Sequence, residues 1–223
     1  MKTITIHIDN MANQQTISKK LNNSVQLLES LLRGTDTGHK VISNSDVWEG
    51  VGPGGRIKIS PRAYEVITPE GRSIHETWTV VKQSDGVTIK PVLTEGQENY
   101  LVLLYKPHPA IGQWLLEFPS GGKKTTETIE QTAIRELEEE TGYKAGNIKI
   151  IMRDMRFAPF RFDQNETVAE AMDLVEGKRK LEYEESVIEV HLVPKGMIKD
   201  LLRHNVIKDF RTRAIAAEHL LDK

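Results

Sequence analysis

The chain has 223 residues, and its 30 Lys and Arg nearly balance its 32 Asp and Glu, leaving a formal net charge of −2. That length suits one sizeable domain plus an extension, and the balanced charge argues against nucleic acid or a membrane surface as a partner. The absence of cysteine excludes a disulfide framework, a thiolate metal site and a cysteine nucleophile, and it suits a reducing, cytoplasmic location.

Residues 1–45 read as an N-terminal extension. Met1 to Ile8 alternates like a strand and lacks the apolar core of a leader peptide. An amphipathic helix follows, with Ile17, Leu21, Val25, Leu28 and Leu32 at helical spacing and Gly34 as its stop. No apolar run nears the ~20 residues needed to cross a bilayer. Residues 46–223 form the main domain. Val51-Gly-Pro-Gly-Gly55 marks a turn. Tyr64 to Thr68 and Ile74 to Val81 flank Pro69-Glu-Gly-Arg72 and predict a hairpin. Strands follow at Val87 to Leu93, Tyr100 to Tyr105 and Trp114 to Phe118. A helix is predicted over Thr128 to Thr141, then strands at Ile148 to Met152 and Val187 to Val193. Two helices, Gly196 to His204 and Lys208 to Leu221, close the chain. Strands around one central helix, with helices at the end, predict an α/β (α+β) fold whose mixed sheet is covered on both faces.

The informative stretch is the central helix. Thr128-Ile-Glu-Gln131 is a capping box, and Gly142 is a natural residue just past the helix end. Ala133, Ile134 and Leu137 make an apolar arc that should face the core. Glu136, Glu139 and Glu140 stand at i, i+3 and i+4, so their carboxylates share a face and repel. They also occupy the last turns, where the helix dipole disfavours anions. Two local rules broken at one place mark a functional site. Three oxygen donors without Cys or His fit a hard cation, Mg²⁺ or Mn²⁺. On this reading Glu140→Gln leaves the metal-free fold intact or slightly stabilised. The competing reading is an acidic helix end paired with lysines.

The segment from Gly121 to Tyr143 resembles the Nudix box. Gly121 is followed after five residues by Glu127, and after seven more by Arg135-Glu136-Leu137, then Glu139-Glu140 and Gly142. Tyr143 stands where the family usually has Ile, Leu or Val. The resemblance implies an α/β/α sandwich and a divalent-metal enzyme that splits a diphosphate linkage. It implies that Glu136, Glu139 and Glu140 bind the metal, and that Gly121, Glu127 and Arg135 support the loop and helix. The flank Glu117-Phe-Pro-Ser-Gly121 is similar to a stretch of the ADP-ribose and nucleoside-diphosphate-sugar pyrophosphatases, in which the carbonyl matching Ser120 completes a metal site. Pro159, sixteen residues beyond Tyr143, matches a marker of that group.

The implied substrate is ADP-ribose, cleaved to AMP and ribose 5-phosphate. Lys106 replaces an arginine that helps bind the diphosphate, and Phe160 replaces a glycine after the proline. Trp78, with Tyr64 and Phe160 behind it, is the candidate platform for adenine, against plain core or interface packing. The base is expected on the acidic stretch Lys180-Leu-Glu-Tyr-Glu-Glu-Ser186: Glu184 by count from the following strand, with Glu182 and Glu185 as alternatives and Glu139 as a fourth. The resemblance also implies a homodimer sharing N-terminal strands. The rival readings are a Nudix enzyme for another nucleotide sugar, a dinucleotide or NADH, and a nucleotide sensor that does not hydrolyse.

Overall fold

The computed structural model describes residues 39–44, 48–52, 55–68, 70–179, 188–218 and 220. The expected first strand and the 17–32 helix lie outside them. The contacts divide the chain into two units, one of which holds residues 39–42 and 63–76 among the described ones.

The strands in chain order are β1 (His39–Asn44), β2 (Trp48–Gly52), β3 (Gly55–Ile67) and β4 (Ser73–Lys82). In the smaller unit β3 turns into β4 where predicted. Thr68 N–H donates to Arg72 O, Gly71 takes a positive φ of 78°, and Ser73 Oγ donates to Glu65 at 2.6 Å. In the larger unit β2 pairs antiparallel with β3, with Trp48 opposite Ile59.

The larger unit continues with β5 (Gly86–Glu95), β6 (Glu98–His108), β7 (Gln113–Glu117) and β8 (Ser120–Gly122). Helix α1 (Ile129–Thr141) comes next, then β9 (Tyr143–Met155), β10 (Phe162–Asp163), β11 (Glu166–Glu176) and β12 (Glu189–Pro194). A short 3₁₀ turn leads into α2 (Ile198–Arg203) and α3 (Phe210–Glu218). A seven-stranded mixed sheet runs β12-β6-β5-β11-β9, with β7 on β6 and β8 on β5. The parallel step is β5 to β11, and β11 returns antiparallel to β9. The small β10 pairs parallel with β4, and Arg62 on β3 reaches Asp163 at 2.8 Å.

Strand alternation sorts the core into two layers. Val87, Ile89, Ala169 and Ala171 face one way and pack on Ala133 and Leu137 of α1. Leu101, Leu103, Phe118, Val168 and Val193 face the other way and pack on Ile198, Leu202, Ile215 and Ala216 of the C-terminal helices. The mixed sheet covered on both faces is therefore borne out. Among the described residues no helix is long and apolar enough to cross a membrane.

Two features of this architecture depart from the sequence pattern. Strand β11 was not predicted: its alanines and glutamates, Ala169-Glu-Ala-Met172, favour helices locally. The fold uses the small alanines to let α1 lie close on a central strand. Ile134 was expected to face the core and is instead 45% exposed. The buried face of α1 carries Thr132, Ala133, Glu136, Leu137, Glu140 and Thr141. Carboxylates take the place that the sequence reserved for isoleucine.

Candidate active site

Helix α1 begins as its sequence dictates. Thr128 accepts from Gln131 N–H, the Gln131 side chain accepts from Thr128 N–H, and Gly142 ends the helix at φ 82°. These two stops fix which glutamates reach inward.

Arg135 gathers three of the carboxylates. Its Nε lies 2.8 Å from Glu127 Oε1, and one terminal nitrogen lies 2.6 Å from Glu136 Oε1 and 2.9 Å from Glu139 Oε2. The other terminal nitrogen donates to Glu127 Oε2 and to the carbonyl of Gly122. This planar fork locks the glycine turn to the helix. The hydrogen bond to Arg135 pulls Glu127 down to a pKa of about 2. Glu136 behaves in the opposite way. Burial outweighs the help of Arg135, and Glu140 and Glu139 add like charge, so its carboxyl is pushed up to about 7.

Glu140, only 1% exposed, turns to a different cation. Lys106 Nζ on β6 lies 2.9 Å from Glu140 Oε1 and 2.9 Å from Glu117 Oε1. The second oxygen of Glu140 accepts from Ser120 N–H at 2.9 Å, and His108 Nε2 lies 2.9 Å from Glu117 Oε2. Burial works to lower the Lys106 pKa, but the two carboxylates outweigh it and hold the ammonium above its ordinary value.

At Gly121 a side chain could be accommodated only by displacing the Glu136 carboxylate. A Cβ there would collide with the Glu136 carboxylate, so the glycine lets the turn lie directly on the helix.

The three helix glutamates do not converge on one point. Glu136 and Glu139 share Arg135, whereas Glu140 faces Lys106, and among the described residues no three acidic or histidine side chains form a ready metal cluster. The charge conflict read from the sequence is thus answered, in this state, by Arg135 and Lys106. The competing reading was half right, since a lysine does pair with the helix end, but from a strand and within the core.

The remaining expected residues fall elsewhere. Trp78 on β4 is 44% exposed, which rules out plain core packing, and Phe160 is 62% exposed. Pro159 and Phe160 sit in a turn that Arg161 O ties to Val81 N–H at 2.7 Å, three residues along β4 from Trp78. Glu182, Glu184 and Glu185 lie outside the described residues. Glu117 and His108 were given no role from the sequence. The available signal was a carboxylate inside the apolar run Trp114-Leu-Leu-Glu-Phe118, which a buried cation must balance.

This helix, its preceding glycine turn and the sheet beneath it match a known family. The model of the NUDIX domain matches residues 84–211. The chain belongs to the NUDIX family. Residues of this Nudix chain are 36% identical over 104 residues to an ADP-sugar pyrophosphatase of Mus musculus, covering 43% of this chain and 46% of that protein. A putative nudix hydrolase 2 of Caenorhabditis elegans is 38% identical over 78 residues, covering 34% of this chain and 35% of that protein. An ADP-ribose pyrophosphatase of Bacillus subtilis is 29% identical over 157 residues, covering 70% and 81%. The chain thus spans less than half the length of the mouse and nematode relatives. A crystal structure described as an ADP compounds hydrolase shares the fold, with a TM-score of 0.66 at 17% identity over 82% of this chain and 92% of that one.

Proposed function

We propose that this Nudix chain is a hydrolase that splits the diphosphate linkage of ADP-ribose, giving AMP and ribose 5-phosphate. The observation that carries the reading is the buried network of Glu136, Glu139 and Glu140 around Arg135 and Lys106, set against Gly121. Similarity to proteins named ADP-sugar and ADP-ribose pyrophosphatases supports the substrate class.

A hard divalent cation, Mg²⁺ or Mn²⁺, fits the donor set. Glu136 is a buried carboxyl raised to about 7 with like charges beside it, which is the strain that a dication relieves. Glu136 and Glu139 would hold the ion, with Glu140 and the Ser120 carbonyl joining once Lys106 releases Glu140. When bound, the metal neutralises the phosphates and lowers the pKa of a water.

The chain's own groups do the rest. Arg135 keeps Glu136 and Glu139 in place, and Gly121 lets the turn approach the helix. Lys106, freed from Glu140, presents a positive charge to the diphosphate. The proton acceptor is assigned from the sequence to Glu184, beside Glu182 and Glu185. Trp78, Pro159 and Phe160 form the candidate nucleotide contacts. The chain works as a homodimer, a reading supported by the exposed Trp78 on β4.

The test is a hydrolysis panel of ADP-ribose, other nucleotide sugars, dinucleotides and NADH, each with Mg²⁺, Mn²⁺ or EDTA. ADP-ribose turnover that stops in EDTA is expected. Full turnover in EDTA would overturn the metal, and turnover of another substrate alone would overturn ADP-ribose. Light scattering at micromolar concentration checks the dimer.

A further inference from the structure

The face of the sheet away from α1 holds a second buried carboxylate that the proposed reaction does not use. Glu166 opens β11 and is 6% exposed. Thr88 Oγ1 donates to its Oε1 at 2.7 Å, and the guanidinium of Arg211 stands 3.6 Å from the same oxygen. The other oxygen, Oε2, has no hydrogen-bond partner among the described residues and lies over Gly86, where any Cβ would come within 2.5 Å of it.

Glu166 lines a cavity of about 240 Å³ between β9, β11 and α3. Its walls are Met152, Met155, Phe157, Val168, Phe210 and Ile215, with Arg156 and Arg211 also lining it. Thioethers and ring faces suit a flat aromatic ligand. Two carboxylates line it, the exposed Glu218 at the rim and the buried Glu166, and Glu166, oriented by Thr88, is the one fixed acceptor inside. That combination of an apolar cleft with one fixed polar group is how small planar ligands are held. The volume is below the ~300–1,000 Å³ usual for a whole drug-sized ligand, so a ring fits inside and its substituents stay outside. Arg211 is shared with Glu166 and Asp209, so Arg156 is the lining cation placed to take an anionic substituent, with Glu218 opposing it. Burial, more than any neighbouring charge, raises the Glu166 pKa; Thr88 and Arg211 pull it down, and Asp209 and Asp85 push it up. A carboxyl so perturbed in a cleft is unusual for a purely structural residue.

We propose that this cavity is a binding site for an amino-bearing nucleobase, with Glu166 accepting from the exocyclic amino group and Phe157 and Phe210 flanking the ring. Gly86 keeps the carboxylate free of a neighbouring side chain. The site is separate from the α1 carboxylates and does not depend on the hydrolytic reading.

Calorimetric titration of the full chain in EDTA tests it, because no hydrolysis enters the measurement. Adenosine and AMP are expected to bind, with AMP tighter. Purine riboside, which lacks the amino group, should bind about tenfold or more weakly. Glu166→Gln should remove that discrimination. Phe210→Ala, at a side chain 72% exposed, should weaken adenosine without disturbing the fold, so it remains informative if Glu166→Gln fails to fold. No binding of either ligand overturns the proposal, as does binding that neither variant changes, which would place the ring elsewhere.

Discussion

Glu140 and Glu166 are buried to similar depth, 1% and 6% exposed, on opposite faces of one sheet. Their company differs. Glu140 is matched by Lys106 and by Ser120 N–H, and Lys106 is matched in turn by Glu117. Glu166 has one hydroxyl and a guanidinium 3.6 Å away, while Lys90, also on the sheet, is taken by Glu170 at 2.8 Å. Burial of a carboxylate therefore does not by itself define a site. On the α1 face carboxylates outnumber cations, and Arg135 and Lys106 are each shared among several of them. On the far face one carboxyl is left with capacity to spare in an apolar cleft. The first arrangement suits a dication, the second a neutral donor.

The largest expected effect tests the α1 face directly. On the proposed reading, Glu136→Gln should lower hydrolysis by about three orders of magnitude, because it removes a carboxylate that would hold the divalent cation. Gly121→Ala should approach that loss without touching an acidic residue, since its Cβ collides with the Glu136 carboxylate. Steady-state rates with Mg²⁺ check both. Near-normal activity in either variant would mean that Glu136 is a packing residue.

Next in size is the stability of the clamp. Lys106→Met leaves Glu140 and Glu117 without their shared cation, so the metal-free protein should lose about 3 kcal/mol. The loss stays at the lower end for a broken buried pair because Ser120 N–H and His108 remain. For a chain of this size the melting midpoint should fall by about 6–12 °C. Lys106→Arg keeps the charge and should recover most of it. The clamp also revises the sequence-based expectation for Glu140→Gln. Removing that charge leaves Lys106 half matched, so the metal-free fold should be weakened, by about 1–3 kcal/mol, rather than stabilised. A melting point unchanged in both variants would dissolve the contrast between the two faces.

A smaller effect follows from pH. Glu136 rises from 4.5 to about 7 on folding, so the folded state holds a proton that the unfolded chain has released. Between these values the unfolded state binds fewer protons, and stability in EDTA should fall as pH rises from about 5 to 7. Glu127, lowered to about 2, contributes stability that is lost only as pH falls from about 4.5 toward 2, so the two windows do not overlap. Added Mg²⁺ should cancel or reverse the slope, since the metal needs the ionised carboxylate. Thermal melts across pH 5–8, with Glu136→Gln as the flat control, read this out.

How much of this was legible in the sequence differs between the faces. The helix limits, the capping box, the hairpin at 68–72 and the two-sided sheet follow from turn residues and periodicity. The family follows from fixed gaps between Gly121 and Gly142. What was not legible depends on partners distant in sequence. Lys106 meets Glu140 across 34 positions, and Thr88 meets Glu166 across 78. Neither spacing has a local signature. Strand β11 went unrecognised for the same reason: its alanines are tolerated only because α1 covers them. Trp78 and Phe160 were picked as candidates for the adenine platform, against core or interface packing for Trp78; both are exposed, and their role stays a proposal.

The smallest expected effect concerns the one helix position where periodicity misled. Ala133, Ile134 and Leu137 look like a single apolar stripe, but an α-helix has room for only one face against the sheet, and the carboxylates have taken part of it. With Glu136 and Glu140 turned inward, the helix rotates so that Leu137 is fully buried and Ile134 stands 45% exposed. Ile134→Gln should therefore change stability by no more than about 0.5 kcal/mol in either direction, since glutamine is a good helix former and little buried surface is lost. Leu137→Ala, five-sixths of a turn away, should cost about 2–5 kcal/mol, because it empties space between α1 and the strands carrying Val87 and Ala169. Paired chemical denaturation of the two variants measures the rotation of the helix. A cost above 2 kcal/mol for Ile134→Gln would mean that the apolar arc faces the core as its spacing suggests, and that the glutamates sit farther from Lys106 than the clamp requires.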